Sequence, residues 1–188
     1  MTAATPTPPS ATASRLVAPV LIGAALSVTL GVYASAHDPT LEKPYQLWFT
    51  DTINLKVWFA TAALLLIAVQ LVTALRMYGK LSIPKDLPPW FGDLHRLSGT
   101  LAFAISLPVA YHCLWSLGFQ TDDTRSLVHS LLGCLFYGAF ATKVLVVRAN
   151  GMPGWALPVV GGVVLTTMVG LWLTSALWFF TTVDFPGL

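Results

Sequence analysis

The chain has 188 residues, of which 55% are hydrophobic and only 10% are charged, and its mean hydropathy is +0.72. Soluble globular domains carry about 25% charged residues, so this composition excludes a soluble protein. The formal net charge of +2 is too small to indicate a nucleic-acid partner. A lipid bilayer is therefore the first partner that the composition predicts.

The chain begins with a polar segment and continues as a series of apolar ones. Residues 1–14 are mostly Pro, Thr, Ser and Ala without any charge, and we expect a disordered tail because they can bury no core. Residues 15–188 are predicted to form one transmembrane domain. A helix needs about 20 apolar residues to cross a bilayer. Five stretches meet this length, at about 16–36, 55–75, 94–118, 127–147 and 155–180.

The fold class that follows is an all-α integral membrane protein, a bundle of five transmembrane helices. Asp93 is the expected N-cap of the third helix, and Asp123 or Thr124 that of the fourth, because their side-chain oxygens can accept the free N–H groups of a first turn. Loop charges orient the bundle. Seven basic residues lie near the span ends on the side of the N-terminus and three on the other, which predicts an inside N-terminus and an outside C-terminus.

The first span also has features of a secretory signal peptide. Ala34-Ser35-Ala36 has the A-x-A form of a cleavage site, and it follows an arginine and an apolar stretch. Cleavage after Ala36 would leave His37 as the first residue, followed by four spans. The apolar stretch is longer than the roughly 7–15 residues of a signal core, so we expect the helix to be retained.

Two histidines flank the loop between the third and fourth spans. The loop is centred near Gln120 and Thr121, and His112 and His129 each lie about eight residues from that centre. Antiparallel helices rise about 1.5 Å per residue, so equal distance from the loop means equal depth in the bilayer. Two imidazoles at one depth on neighbouring helices are suited to the axial ligation of a haem iron. The pair predicts one haem b near the outer face.

Two further residues fit such a site. Gly133 lies one turn after His129, where the absence of a side chain leaves room for a flat macrocycle. Arg125 in the loop can bind haem propionates, because a guanidinium group pairs well with a carboxylate. The alternative is that His112 and His129 only make hydrogen bonds between helices, as polar side chains do in membrane bundles.

The remaining histidines are secondary candidates. His95 lies on the opposite side of the membrane, where His95, Arg96 and Gly99 repeat the His-x-x-x-Gly spacing. No second histidine faces it on the fourth span, so we expect an interfacial residue. The alternative is a functional role for His95, in contact with a quinone head group or with a haem propionate on that side of the membrane. We expect His37, at the outer end of the first span, to be solvated, and substitution as an axial ligand is the alternative.

Residues 92–148 resemble the transmembrane domains of ferric reductases and related b-type cytochromes. The segment GDLHRLSGTLAFAISLPVAYHCLWSLGF carries a His-Arg, a small-residue step and a second histidine, as the histidine-bearing helix of those domains does. The interval from His95 to His112 is longer than in helices that carry two stacked haems, and the fourth span has one histidine where two would be expected. The resemblance therefore implies a single haem. The whole chain also resembles an uncharacterised family of small actinobacterial membrane proteins, which implies the bacterial plasma membrane and no particular activity.

Two functions of different class follow. The first is a b-type cytochrome-like subunit whose haem iron is bound by His112 and His129, and which passes electrons between a membrane quinone and an outer acceptor. Because the outer loops are too short for a redox domain, an exported iron–sulfur or cytochrome c protein would be the partner, and a stand-alone enzyme is not favoured. The second is a cofactor-free assembly or anchoring subunit of a larger membrane complex.

Overall fold

The architecture is entirely helical over the residues that the computed structural model describes, which are 10–42, 45–82 and 86–183. In these ranges the chain forms α-helices and two π-helical segments but no strand. In chain order they are α1 (Ser10–Ala36), α2 (Thr52–Met77), α3 (Phe91–Tyr111), π1 (His112–Leu117), α4 (Thr124–Arg148), α5 (Ala156–Trp172), π2 (Leu173–Leu177) and α6 (Trp178–Thr182).

Five continuous helical stretches are long and apolar enough to cross a membrane. They are Ser14–Ala36, Thr52–Met77, Phe91–Leu117, Thr124–Arg148 and Ala156–Thr182. The prediction of an all-α bundle with five transmembrane helices is thus confirmed. The inside position of the N-terminus stays a prediction. Of the expected disordered tail, residues 1–9 lie outside the described residues, and residues 10–14 belong to α1.

Successive helices run in opposite directions, which gives the bundle two ends of different charge. At one end Arg15 of α1 donates to the main-chain oxygen of Gly151 at 3.3 Å, so the start of α1 lies beside the turn after α4. We call this the basic end, after Arg15, Arg76, Lys80, Arg96 and Arg148. We call the other the acidic end, after Asp38, Glu42, Asp51, Asp122 and Asp123.

Side-chain and main-chain contacts locate the helix starts. Asp123 caps α4, since its carboxylate accepts from the Ser126 N–H at 2.9 Å, which confirms that part of the prediction. Asp93 is not the cap of α3. That helix begins earlier because the Phe91 N–H is bound by Pro88 O at 3.0 Å, and this leaves Asp93 in the first turn, paired with Arg96.

The helices pack around a core in the middle of the bundle. Buried apolar side chains from α2, α3, α4 and α5 meet there: Ala63, Ile67, Ala102, Phe136, Ala139, Val164 and Met168. Helix α1 packs against the outer side of α4, and two glycines form the contact. A Cβ on Gly138 would collide with the main chain of Gly23, and a Cβ on Gly23 would collide with that of Gly138. The two backbones therefore touch, as is common where small residues meet in membrane helices.

Candidate functional site

A cavity of about 310 Å³ opens among the helices towards the acidic end. Ligand pockets have volumes of about 300–1,000 Å³, so this one is at the lower limit. Its body is apolar, with Val57, Ala60, Leu114 and Phe136 among the lining residues. Polar side chains gather near the helix ends: Lys56, Gln120, Arg125, Ser126, His129 and Ser130. An apolar pocket with a few convergent polar groups is the usual form of a ligand site.

His129 is held in one orientation on the cavity wall. Its Nδ1 lies 2.9 Å from the hydroxyl oxygen of Thr174. That hydroxyl donates its own proton to Gly170 O, at 2.7 Å, so towards His129 it can only accept. The ring proton therefore belongs on Nδ1, and Nε2 keeps its lone pair for a ligand. A histidine fixed through one nitrogen in this way is typical of metal-binding imidazoles.

Arg125 is anchored to the same threonine. Its Nη1 donates to the main-chain oxygen of Thr174 at 2.8 Å, and its guanidinium lies over the Trp178 ring, 4.0 Å from the centroid. Asp123 lies 3.8 Å from Nη2 and neutralises part of its charge. Arg125 and His129 are one turn apart on α4, so both reach Thr174 in π2. Single π-helical turns are frequent at functional sites.

Lys56 brings a second positive charge to the cavity from α2. In the described part of the chain, the ion pairs are Arg96 with Asp93 and Arg125 with Asp123, so Lys56 has no carboxylate partner there. The cavity lining found in those residues contains no Asp or Glu. Because a charge in a membrane bundle is costly unless it is compensated, Lys56 and Arg125 together favour a ligand that carries negative charge.

His112 does not line this cavity. It is only 1% exposed, and the Tyr45 ring covers it with a centroid distance of 4.6 Å. Within the described residues neither ring nitrogen makes a hydrogen bond of normal geometry, although the charge of Lys56 and the main chain of Tyr45 both act on the ring. The next residue, Cys113, does line the cavity. Consecutive helical residues point about 100° apart, so His112 is turned away although His112 and His129 share the acidic end.

The two predicted glycines and Arg96 fall in two places. Gly133 lines the cavity, and the nearest atom to a Cβ there would be Leu171 Cδ2 at 3.9 Å, an ordinary contact distance. Gly99 instead lies at the basic end, where a Cβ would be 3.0 Å from the amide of Gln70. Arg96, also at that end, pairs with Asp93.

His95 and His37 both bind protein groups away from the cavity. His95 Nδ1 lies 2.7 Å from the hydroxyl of Thr73 at the basic end. At the acidic end, His37 Nδ1 and Nε2 lie 2.8 Å and 3.0 Å from the main-chain oxygens of Tyr33 and Trp115. Those hydrogen bonds, the Tyr33 one first, raise the pKa of His37, and Asp38 adds to the effect. His37 thus ties the end of α1 to π1.

The sequence reasoning missed the parts played by Lys56 and Thr174. Lys56 falls inside the predicted second span, at about 55–75, where a charge is a functional candidate. Thr174 lies inside the predicted fifth span, at about 155–180. Its spacing of four residues from Gly170 could not reveal that it faces α4.

Comparison with known proteins yields a family. A family model described as "Family of unknown function (DUF6529)" matches residues 16–187. Comparison with curated proteins and with solved structures gives no match. The resemblance to ferric reductases and b-type cytochromes, and the actinobacterial origin, therefore stay predictions. Within the described residues, no group of three or more His, Cys, Asp or Glu is placed to hold a metal ion.

Proposed function

The chain belongs to this family of unknown function, and we propose that it is a membrane electron-transfer subunit that holds one haem b in the cavity at the acidic end. The observation that carries the proposal is His129, which lines an apolar cavity and whose Nδ1 is bound to the Thr174 hydroxyl, so that the lone pair of the neutral ring belongs on Nε2. Haem iron bound by histidine supplies a one-electron change between the ferric and ferrous states.

The residues of the cavity fit the parts of a haem. His129 would be an axial ligand, and Thr174 would keep its ring in the binding orientation. Lys56 and Arg125 would bind the two propionates, since both are cations on a wall without carboxylates in the described chain. The apolar lining would exclude water from the iron. Because the cavity is small, we expect the helices to separate when a macrocycle enters.

His129 is the histidine in the described cavity lining, so the second axial ligand of the iron would be another type of side chain or a histidine that changes its position. In the version with two histidines, the ring of His112 would have to leave its place under Tyr45 and turn into the cavity. The geometry favours His129 as the single histidine ligand. Cys113, Tyr137 and Met168 are lining residues whose side chains can also coordinate iron.

The partners belong to the same proposal. A membrane quinone would exchange electrons with the haem, and an exported iron–sulfur or cytochrome c protein would be the outer partner in the plasma membrane of a bacterium. The connecting segments at the acidic end, residues 37–51 and 118–123 of the sequence, are too short to form a redox domain of their own.

The test is an absorption spectrum of the protein purified in detergent from cells with ample haem, first oxidised and then reduced with dithionite. We expect sharp Soret and α bands in the wild type and in His95→Ala, and their loss in His129→Ala. Loss of the bands in His112→Ala as well would establish the two-histidine version. A featureless spectrum of the wild type would refute the haem proposal and favour the cofactor-free assembly subunit.

A further inference from the structure

Lys143 is a second charge inside the bundle, at the opposite end from the cavity. It lies five residues before the end of α4 at Arg148, which places it about 7–8 Å deeper than the helix end. Its side chain is turned inwards, and the ammonium group donates to Gln70 Oε1 on α2 at 3.2 Å. An ammonium group has three donors, so two of them are left for another acceptor.

Gln70 is a rigid support for this lysine. Its side chain is buried, and its amide nitrogen donates to the main-chain oxygen of His95 and to Ser98 Oγ, the latter at 3.0 Å. Gly99 allows the close approach of α3, because a Cβ there would be only 3.0 Å from the amide. Lys143 is therefore held at the junction of α2, α3 and α4 by groups that have their own partners.

Lys143 brings a positive charge to the junction that no carboxylate in the described residues offsets. Lys143 makes no ion pair within residues 10–42, 45–82 and 86–183, and Asp93 at the same end of the bundle is paired with Arg96. The positive charges of Lys143 and Arg96 both act on His95. Burying a charge in a membrane protein is costly without a partner, so this arrangement calls for an anion from outside the chain.

We propose that the junction of α2, α3 and α4 at the basic end binds the phosphate of an anionic phospholipid through Lys143. Lys143 lies inside the end of an apolar span, and a lysine side chain is long enough to reach from there towards the headgroup region. The same end of the bundle also carries Arg76, Lys80 and Arg148. Basic sites between membrane helices bind anionic headgroups. Free phosphate shares this chemistry but lacks the acyl chains that the neighbouring apolar helix faces would bind.

The test measures the thermal unfolding midpoint in a neutral detergent with added lipid. Dioleoylphosphatidylglycerol should raise the midpoint of the wild type by about 2–4 °C, since a ligand of the folded state stabilises a chain of this size by mass action. Dioleoylphosphatidylcholine should not. Lys143→Met should lose at least half of the shift, whereas Lys56→Met at the acidic end should keep all of it.

Three results would overturn the proposal: an equal shift in Lys143→Met, an equal shift with phosphatidylcholine, or the same shift with inorganic phosphate at equal concentration. If Lys143→Met does not fold, native mass spectrometry of the wild type and Lys143→Gln replaces the melting experiment. The wild type should then retain phosphatidylglycerol that the variant loses, and equal retention would contradict the assignment. The haem spectrum is independent of all these outcomes.

Discussion

Thr174 orients two side chains that line the cavity, His129 and Arg125. Its hydroxyl accepts from His129 and its carbonyl from Arg125, so one residue in π2 orients both groups of α4. The hydroxyl is able to do this because its own proton is bound within α5, to Gly170 O. Replacing Thr174 by valine keeps the shape and removes the acceptor.

We expect Thr174→Val to weaken haem binding by about 10–100-fold, as loss of a group that orients a metal-binding histidine usually does. A haem titration of the purified protein, followed at the Soret band, measures the affinity. Thr167→Val is the control, because Thr167 lies on the same continuous helical stretch, Ala156–Thr182, does not line the cavity, and its hydroxyl donates within its own helix. Equal affinities of the two variants would show that Thr174 does not orient His129.

His37 is the residue whose protonation should affect the acidic end. A carbonyl oxygen can only accept, so bonds from both ring nitrogens to Tyr33 O and Trp115 O require the doubly protonated ring. The pKa of His37 is accordingly raised. A raised folded-state pKa gives stability that is fully present below the unfolded value of about 6.5 and is lost as pH rises through the folded value.

We therefore expect the contact between the end of α1 and π1 to be more stable at about pH 6 than at about pH 8.5. Hydrogen exchange of residues 33–41 and 115–119 measures it, and protection should fall as the pH rises after correction for intrinsic exchange. His37→Phe, which keeps a ring between Tyr33 and Trp115, should show no such difference. A pH effect of the same size in the variant would assign the titration to a group other than His37.

At the scale of elements, the contact between α1 and α4 depends on two glycines rather than on large side chains. Gly23 and Gly138 let the two backbones touch, and Thr142 of α4 donates to Pro19 O of α1 at 3.3 Å. A first helix packed this closely is part of the bundle. That supports the predicted retention of the span, which stays a prediction.

Gly138→Ala should destabilise the protein by about 1–3 kcal/mol, because its Cβ would collide with the main chain of Gly23, which cannot move without separating the helices. The midpoint of unfolding by sodium dodecyl sulfate measures the effect. Gly161→Ala on α5 is the control, since a Cβ there meets no atom within 4 Å and alanine is the better helix former. A Gly138→Ala variant as stable as Gly161→Ala would contradict the close α1–α4 contact.

At the scale of the whole molecule, the bundle has an apolar centre and a polar site near each end. The core around Phe136 separates the cavity at the acidic end from the Gln70 network at the basic end. The cavity is a loss of packing next to that core, and unfilled space in a protein interior reduces stability. A substitution that fills the cavity should therefore raise the stability of the protein and weaken ligand binding.

Filling the cavity tests that relation. We expect Gly133→Leu to abolish haem binding and to raise stability by about 0.5–2 kcal/mol, because the added side chain enters open space with no contact closer than 3.9 Å to the new Cβ. Absorption spectra and the unfolding midpoint measure the two effects. Gly161→Leu, on a part of α5 where a Cβ is unopposed, should leave the spectrum unchanged. Full haem loading of Gly133→Leu would place the cofactor elsewhere.

The sequence by itself determined the fold class, the five spans and the end of the bundle at which His112 and His129 lie. These properties depend on the length and hydropathy of a segment and on distance along the chain from a loop, and all three can be read directly from the sequence. It also determined the cap at Asp123, which is a local property. Only the tertiary structure decided that His129 lines the cavity while His112 is covered by Tyr45. The direction in which a side chain points around its helix depends on how neighbouring helices pack and on the π-helical turns at π1 and π2, and a hydropathy pattern contains neither.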